Sequence, residues 1–175
     1  MYMSNEDGNI SARVQNLLDR QEIHDALMRY CRGVDRSDEE LMRSAFHEDA
    51  VAFATNAWEF VAHFIPDNDV ATTFTMHSIA NLDIDVVGDK AFSEAYFVTY
   101  VGREEGDDQF VDAFCGRYVD KWDRRNGDWK IAHREVAQEW SRANAFGTET
   151  FPVPPSEKGT FITPLRNRND ISYQR

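Results

Sequence analysis

The chain has 175 residues, 42% of them hydrophobic and 13% aromatic, which is enough to bury the core of one domain without disulfides or a structural metal. Its 31 acidic residues outnumber its 19 basic ones and give a formal net charge of −12, which argues against a nucleic-acid partner because such partners require a basic surface. No stretch reaches the roughly 18 apolar residues of a membrane span, and the polar, acidic N-terminus is unlike a signal peptide, so we expect a cytoplasmic protein that does not bind membranes.

The first third of the sequence has the apolar spacing of helices. After a stretch expected to be frayed, residues 1–10, this spacing predicts a first helix from Ser11 to about Val34. A capping box from Ser37 to Glu40 predicts the start of a second helix that includes Phe46. A short amphipathic helix over Ala57–Phe64 is expected to end at Pro66.

The second half of the sequence changes to the two-residue period of strands. A short strand is predicted over Val51–Phe53, and the longer candidates are Phe74–Val86, Ala91–Gly102, Gln109–Asp123 and Asp128–Trp140. Tight-turn signals at Val87-Gly-Asp89 and Asn126-Gly-Asp128 separate neighbouring candidates. Helices followed by consecutive antiparallel strands predict an α+β fold.

The C-terminal stretch differs in composition from the rest. Pro152, Pro154 and Pro155 disfavour regular structure, while Phe161 and Tyr173 are apolar enough to need a surface to pack on. We therefore predict a domain over residues 1–146 and an extended tail over residues 147–175 that packs on this domain or on a neighbouring subunit.

The sequence has no motif for a metal or a cofactor. Cys31 and Cys115 lie far apart among apolar residues, which is typical of buried thiols. No histidine pair has metal-ligand spacing, and neither a glycine-rich phosphate loop nor a G-x-S-x-G motif is present. We expect chemistry without a metal or a cofactor.

An ordered set of short motifs resembles the SnoaL-like proteins of the nuclear transport factor 2-like superfamily. In chain order the motifs are Asp19-Arg-Gln-Glu-Ile23, Tyr30, Val34-Asp-Arg36, Phe46-His-Glu-Asp-Ala50, Thr75-Met-His77-x-x-x-Asn81, Gly88-Asp89, Gly116-x-Tyr118-x-Asp120 and Asn126-Gly-Asp-Trp-Lys-Ile131. The resemblance spans about residues 12–141. It implies a cone-shaped, cystatin-like fold, in which a strongly curved antiparallel sheet wraps around N-terminal helices and leaves a pocket at its open end.

Within this family the sequence resembles hexachlorocyclohexane dehydrochlorinase, bile-acid 7α-dehydratase and, more distantly, scytalone dehydratase. These enzymes eliminate HX from a hydrophobic ring with a buried histidine assisted by an aspartate, and the resemblance places these roles on His77 and Asp35. Tyr30 matches a tyrosine of the bile-acid enzyme, whereas the dehydrochlorinase has lysine there. The arginine on the last strand of the bile-acid enzyme falls at Gln138, so the substrate does not carry over.

The residues give a physical reason for this pair. Asp35 extends the line of Met28 and Cys31 along the apolar side of the first helix, and an unpaired carboxylate is costly there. A hydrogen bond from His77 would remove that cost and leave the second imidazole nitrogen as a general base. The alternatives are an exposed Asp35 paired with a neighbouring arginine, and His77 as a hydrogen-bonded core residue.

The alternation of side chains between the two faces of a strand tests whether His77 can reach Asp35. His77 occupies the opposite parity from Leu82 and Ile84, so a regular strand would direct it away from their apolar face. We therefore predict a β-bulge between about Ser78 and Asn81, which would reverse the parity and bring the three side chains to one side.

Aromatic residues are expected to complete the pocket. Tyr30 could donate a hydrogen bond to a leaving group or an oxyanion, or could be an ordinary core tyrosine. We predict that the substrate-binding residues are Tyr96, Tyr118, Trp140, Trp58, Phe60 and His133, with Trp58 and Phe60 covering the mouth and His133 facing inward by alternation with Trp129 and Ile131.

These features predict a cofactor-independent lyase or isomerase that acts on a hydrophobic cyclic molecule by general-base catalysis. Dehydration, dehydrohalogenation and double-bond migration share the proton-abstraction step. The alternatives are a non-catalytic binding protein and an interaction subunit resembling the β-subunit of a ring-hydroxylating dioxygenase. Because related folds bury the outer face of the sheet between subunits, a homodimer or homotrimer is expected.

Overall fold

The computed structural model describes residues 5–69, 72–106, 108–145, 165, 167–169 and 173. Three helices and six strands follow one another in the order α1 (Asn5–Asp35), α2 (Glu39–Arg43), β1 (Phe46–Ala52), β2 (Thr55–Asn56), α3 (Ala57–Asp69), β3 (Thr72–Val87), β4 (Lys90–Glu105), β5 (Asp108–Arg125) and β6 (Asp128–Arg142). None of the helices in these ranges combines the length and hydropathy needed to cross a bilayer.

The strands form one sheet in the order β2-β1-β6-β5-β4-β3. β3 to β6 are consecutive antiparallel neighbours. Two-residue turns join β3 to β4 and β5 to β6, and in them Gly88, Asn126 and Gly127 have positive φ. The predicted α+β class, the long strands and their turns are therefore confirmed. β1 pairs parallel with β6, so the sheet is mixed, with its four long strands antiparallel as predicted.

The core lies between α1 and the concave face of the sheet. Ile23, Leu27 and Val34 are buried on the inner side of α1, and small residues such as Ala91 and Ala95 face inward from β4. Gly33 allows α2 to pack on the end of α1, because a Cβ there would lie 2.5 Å from the backbone nitrogen of Met42. The end of α1 is thus fixed against the body of the domain.

Bulges reset the direction of side chains in two strands. In β3 the register shifts between Ala80 and Asp83, and Asn81 has φ of 46°. The predicted bulge is therefore present, at the end of the expected stretch. In β6 the register shifts at Ala132 and again at Glu139, and neither shift was predicted.

Several predicted boundaries are wrong. α1 already includes residues 5–10, which were expected to be frayed. Asp38, not Ser37, caps α2, because its carboxylate accepts a hydrogen bond from the amide of Leu41. Phe46 begins β1, so α2 is shorter than predicted, and α3 continues through Pro66 to Asp69.

Two residues near the C-terminus, Arg168 and Tyr173, contact the start of α2. Arg168 forms two hydrogen bonds with the carboxylate of Asp38, at 2.8 and 3.0 Å, and the hydroxyl of Tyr173 donates to it at 2.8 Å. The guanidinium of Arg32 lies 4.4 Å from the ring centroid of Tyr173. Most of the predicted tail, residues 147–164, lies outside the described residues, so the two-part division stays a prediction.

Asp38 should stabilise the fold by two separable contacts. Asp38→Asn keeps a capping oxygen but loses the charge that attracts Arg168, whereas Asp38→Ala loses both. We expect the alanine variant to lose about 0.5–2 kcal/mol of unfolding free energy and the asparagine variant less. Urea denaturation at neutral pH measures both. Glu40→Gln is the matched control, because Glu40 contacts Arg168 but caps no helix. Equal losses in all variants would contradict this assignment.

The contribution of Asp38 should also depend on pH. Burial raises the pKa of Asp38, but hydrogen bonds from Arg168 and from the amide of Leu41 outweigh burial and leave the pKa below its ordinary value of 3.8. The stabilisation is therefore complete above that value and is lost as the pH falls through the lower pKa of the folded state. The stability difference between the wild type and Asp38→Asn should shrink in strongly acidic urea titrations.

Candidate active site

A cavity of about 330 Å³ opens between the C-terminal half of α1, the segment leading into α3 and the concave face of the sheet. Most of its walls are apolar. The lining residues are Tyr30, Val34, Phe53, Phe64, Thr75, His77, Phe97, Thr99, Val101, Phe114, Tyr118, Val136 and Gln138. A larger surface depression of about 660 Å³ follows the N-terminal half of α1, but its described lining residues include neither a histidine nor a carboxylate.

Asp35 and His77 are in direct contact at this cavity. Nδ1 of His77 lies 2.6 Å from Oδ1 of Asp35, and the backbone amide of His77 donates to Oδ2 at 3.1 Å. Their side chains are only 5% and 17% exposed for His77 and Asp35, respectively. Because a carboxylate only accepts, Nδ1 carries the shared proton, and Nε2 is left as the basic nitrogen beside the cavity.

Tyr30 lies beside this pair in the wall. Its ring centroid is 6.3 Å from that of His77 and 5.7 Å from that of Tyr118, both in edge-to-face arrangements. Burial raises the pKa of Tyr30, although the positive charge of Arg134 partly opposes this effect. Tyr30 is therefore a neutral hydroxyl at physiological pH and can donate a hydrogen bond.

Behind the two tyrosines lies a buried ion pair. Arg134 and Asp120 are fully buried and share two hydrogen bonds of 2.7 Å. The guanidinium lies 4.2 Å from the ring centroids of both Tyr30 and Tyr118. Its Nη1 has no hydrogen-bond partner among the residues that the structure describes. A positive charge is thus held directly behind the aromatic wall.

Comparison with known proteins agrees with this architecture. The family model for the SnoaL-like domain matches residues 15–135. The chain belongs to the SnoaL-like family. A search among curated proteins gives no match.

Solved structures that resemble this SnoaL-like domain include a hexachlorocyclohexane dehydrochlorinase, with 21% identity and a TM-score of 0.68 over 81% of this chain and 99% of that one. A protein provisionally assigned as a scytalone dehydratase, from Novosphingobium aromaticivorans, has 20% identity and a TM-score of 0.64 over 75% and 95% of the two chains. A nuclear transport factor 2-like protein from Salmonella enterica has 18% identity and a TM-score of 0.61 over 70% and 92%. These likenesses confirm the predicted cone fold.

Three residues predicted to bind substrate in the SnoaL-like domain lie elsewhere. Tyr96 faces outward and is 40% exposed, because the inner face of β4 consists of the odd-numbered residues, Phe97 and Thr99 among them. The bulge at Ala132 turns His133 outward, where Nε2 contacts Glu135 at 2.7 Å.

Trp140 is the third misplaced residue. The bulge at Glu139 reverses parity again, so that Trp140 pairs with the outward-facing Cys115 and is 50% exposed. Gln138, on the other side of the same bulge, lines the cavity.

Of the two residues predicted to cover the mouth of the pocket, Trp58 and Phe60, only Phe60 lies next to the cavity. Phe60 stacks between Phe53 and Phe64, both of which line the cavity, so it supports the wall from behind. Trp58 instead lines a surface depression beside Arg125, with Arg43 over its ring. Of the six residues predicted to bind substrate, Tyr118 is the one that lines the cavity of the SnoaL-like domain.

Sequence reasoning missed Arg134, Asp120, Thr99 and Gln138. A signal for Asp120 was present, because it alternates with Tyr118 and Trp122 on the inner face of β5. Arg134 was hidden by the unpredicted bulge at Ala132.

A metal site is not apparent either. Among the described residues of the SnoaL-like domain, no group of three histidine, cysteine or acidic side chains lies close enough to hold a metal ion. Burial raises the pKa of Cys31 to about 12, so this thiol stays protonated.

Removing the negative partner of Arg134 should destabilise the domain. Asp120→Asn leaves a fully buried guanidinium without its counter-charge, and we expect a loss of about 3–5 kcal/mol in unfolding free energy. Denaturant unfolding is the measurement. Asp49→Asn is the matched control, since Asp49 makes the same type of pair with Arg125 at the surface, and it should change stability little. A similar small effect from both substitutions would show that the buried pair is not essential.

Proposed function

We propose that this protein is a lyase or isomerase that acts on a hydrophobic cyclic molecule without a cofactor. The observation that carries the proposal is the Asp35–His77 hydrogen bond, which leaves Nε2 of His77 beside a largely apolar cavity. The likeness to structures of a dehydrochlorinase and of a provisionally assigned scytalone dehydratase supports the same class of reaction.

The proposed reaction begins with proton transfer to His77. Nε2 takes a proton from a ring carbon, and the electron pair of the broken C–H bond becomes part of a new double bond. Asp35 stabilises the resulting imidazolium through Nδ1 without taking the proton itself. The imidazolium then returns the proton, either to a leaving group X, which releases HX, or to another ring carbon, which moves a double bond.

Tyr30 and Arg134 have supporting roles in this proposal. The ring of Tyr30 lies in the wall next to that of His77, and its neutral hydroxyl can donate to a leaving group or to a developing oxyanion. Arg134 lies behind the ring of Tyr30 as the positive partner of a neutral ion pair with Asp120, so it can act on charge that develops in the cavity only as one end of a dipole.

The contact between Asp35 and His77 also helps to decide between an enzyme, a binding protein and an interaction subunit. A filled cavity, or one in which Asp35 and His77 did not touch, would have favoured a subunit that only supports a partner. A partly buried carboxylate that fixes one imidazole tautomer beside an open cavity instead favours catalysis over simple binding.

The catalytic role proposed for Asp35 and His77, the dyad, can be tested with conservative substitutions. Purified protein is incubated in D2O with a panel of cyclic hydroxyketones, enones and haloalkanes, and mass spectrometry and NMR follow HX loss, double-bond migration and deuterium uptake. We expect His77→Gln and Asp35→Asn to lower the rate by roughly 100- to 10,000-fold, the usual effect of losing a general base.

A matched pair of control variants is available on the surface. His133 and Glu135 form the same type of contact outside the cavity, at 2.7 Å. His133→Gln and Glu135→Gln should keep full activity. Unchanged activity in the His77 and Asp35 variants, or conversion of no compound by the wild type, would contradict the proposal.

We also propose that the outer face of the sheet is covered by another copy of the chain, in a homodimer or homotrimer. Met76, Phe92, Tyr96 and Trp140 are exposed apolar side chains on β3, β4 and β6. An apolar surface of this kind is typical of subunit interfaces.

A charge in this face should dissociate the oligomer. We expect Trp140→Glu to shift the mass measured by light scattering after gel filtration from that of an oligomer to that of a monomer of 20.2 kDa. Glu135→Gln, already a control for activity, should leave the mass unchanged. A monomeric wild type would contradict the interface.

A further inference from the structure

Thr99 places an unsatisfied hydroxyl in the wall of the cavity. The residue is only 7% exposed, and its Oγ1 has no hydrogen-bond partner among the described residues. Thr99 is the direct cross-strand partner of His77 in the β3–β4 ladder. Side chains in such positions have Cβ atoms about 4.5–5.5 Å apart, so the hydroxyl lies next to the imidazole.

This hydroxyl contrasts with that of Thr75, which lines the same cavity. The hydroxyl of Thr75 donates to the carbonyl of Val34 at 3.3 Å and therefore has a place in the fold itself. A valine at position 99 would occupy the same space as threonine without burying an unpaired polar group. The fold does not need the hydroxyl of Thr99, whereas a ligand oxygen would satisfy it.

The charge of the wall restricts the ligand further. Apart from His77, the cavity is lined by apolar residues and by neutral polar side chains such as Tyr30 and Gln138. No lysine, arginine, aspartate or glutamate is among the lining residues that the structure describes. Arg134, behind the wall, is already paired with Asp120, so a ligand carboxylate or ammonium group would be desolvated there without a free counter-charge. An uncharged ligand therefore fits best.

We infer that Thr99 binds the carbonyl oxygen of an uncharged cyclic ketone whose adjacent carbon faces His77. This inference rests on the proposed function and names its substrate class. A C–H bond next to a carbonyl is acidic enough for an imidazole base, provided that the developing oxyanion is stabilised. The hydroxyl of Thr99 donates that stabilising hydrogen bond.

The step is balanced without a further reactant. The proton passes from the carbon to Nε2 of His77, the C–H electron pair forms a carbon–carbon double bond, and the carbonyl π pair moves to the oxygen. Collapse of this enolate expels a β-hydroxyl group, which leaves as water with the proton from His77. In a ketone with a β,γ double bond the intermediate is a dienolate, which instead accepts that proton at its γ carbon, so that the double bond moves into conjugation with the carbonyl. The site is therefore a ketone dehydratase or ketone isomerase, and not an enzyme for halogenated hydrocarbons that carry no oxygen.

Paired ligands test the role of Thr99 by binding alone. The probes are 2-tetralone and tetralin, which share a bicyclic frame and differ by the carbonyl oxygen. By isothermal titration calorimetry we expect the wild type to prefer the ketone by roughly three- to tenfold, the effect of one hydrogen bond. Thr99→Val should abolish the preference, and Thr99→Ser should keep it.

Thermal unfolding of the ligand-free protein gives a second readout. Thr99→Val should keep or raise the melting temperature, whereas Thr75→Val should lower it, because only the hydroxyl of Thr75 has a partner in the fold. A fall in melting temperature for Thr99→Val would mean that the fold uses this hydroxyl, and would overturn the inference. The inference would also be overturned if the wild type bound neither probe or bound both equally well. It would likewise be overturned if Thr99→Val still preferred the ketone.

Different results would contradict the proposed function and the assignment of Thr99. The ketone preference is also measured in His77→Gln, which still has Thr99 but lacks the base. If the preference is intact while His77→Gln keeps full catalytic activity, the proposed function is wrong and the ligand assignment stands. If His77→Gln is inactive and the preference is absent from every protein, the base assignment stands and Thr99 has no part in recognition.

Discussion

The site depends on one hydrogen bond, from Nδ1 of His77 to the carboxylate that ends α1. A buried carboxylate is tolerated only with a partner, and the imidazole satisfies Asp35 while Asp35 fixes the imidazole tautomer. Two features of the backbone bring the groups together. The bulge at Asn81 lets His77 face the cavity while Leu82 and Ile84 face the core, and the close contact of Gly33 with α2 fixes the end of α1.

Polarity in the site is arranged in layers. The front layer, which meets a ligand, is apolar except for neutral hydroxyl and amide groups and His77. The rings of Tyr30 and Tyr118 separate this layer from Arg134, whose charge is balanced by Asp120. Replacing this buried pair with apolar residues need not reduce stability, so stability alone does not account for its presence. Its position behind Tyr30 and Tyr118 places an oriented ion pair directly against the aromatic wall of the cavity.

The sequence predicted those parts of the fold that local chemistry specifies. Asn126-Gly127 and Gly88 have the backbone freedom that tight turns require, so the long antiparallel strands were located within a few residues. The dyad followed from an aspartate on an apolar helix line together with the family resemblance. The bulges at Ala132 and Glu139 were not predicted, because the polar side chains of Arg134 and Gln138 occupy inward positions between them. The apolar alternation that revealed the bulge in β3 is therefore interrupted in this part of β6. His133, Arg134 and Trp140 were misplaced or missed for that reason.

Tyr96 illustrates a different limit. Residue type suggested that this large aromatic side chain should line the pocket, but the inner positions along this part of β4 are taken by the small buried residues Ala91, Ser93 and Ala95. Tyr96 therefore lies on the outer face of β4. Nearer the open end of the cone the inner positions of β4 are Phe97 and Thr99, which line the cavity. The cavity opens where α1 ends at Asp35, and the residue that ends the helix is also the one that holds the imidazole of His77. The position of the helix end thus determines both where the cavity lies and where the proposed base is held.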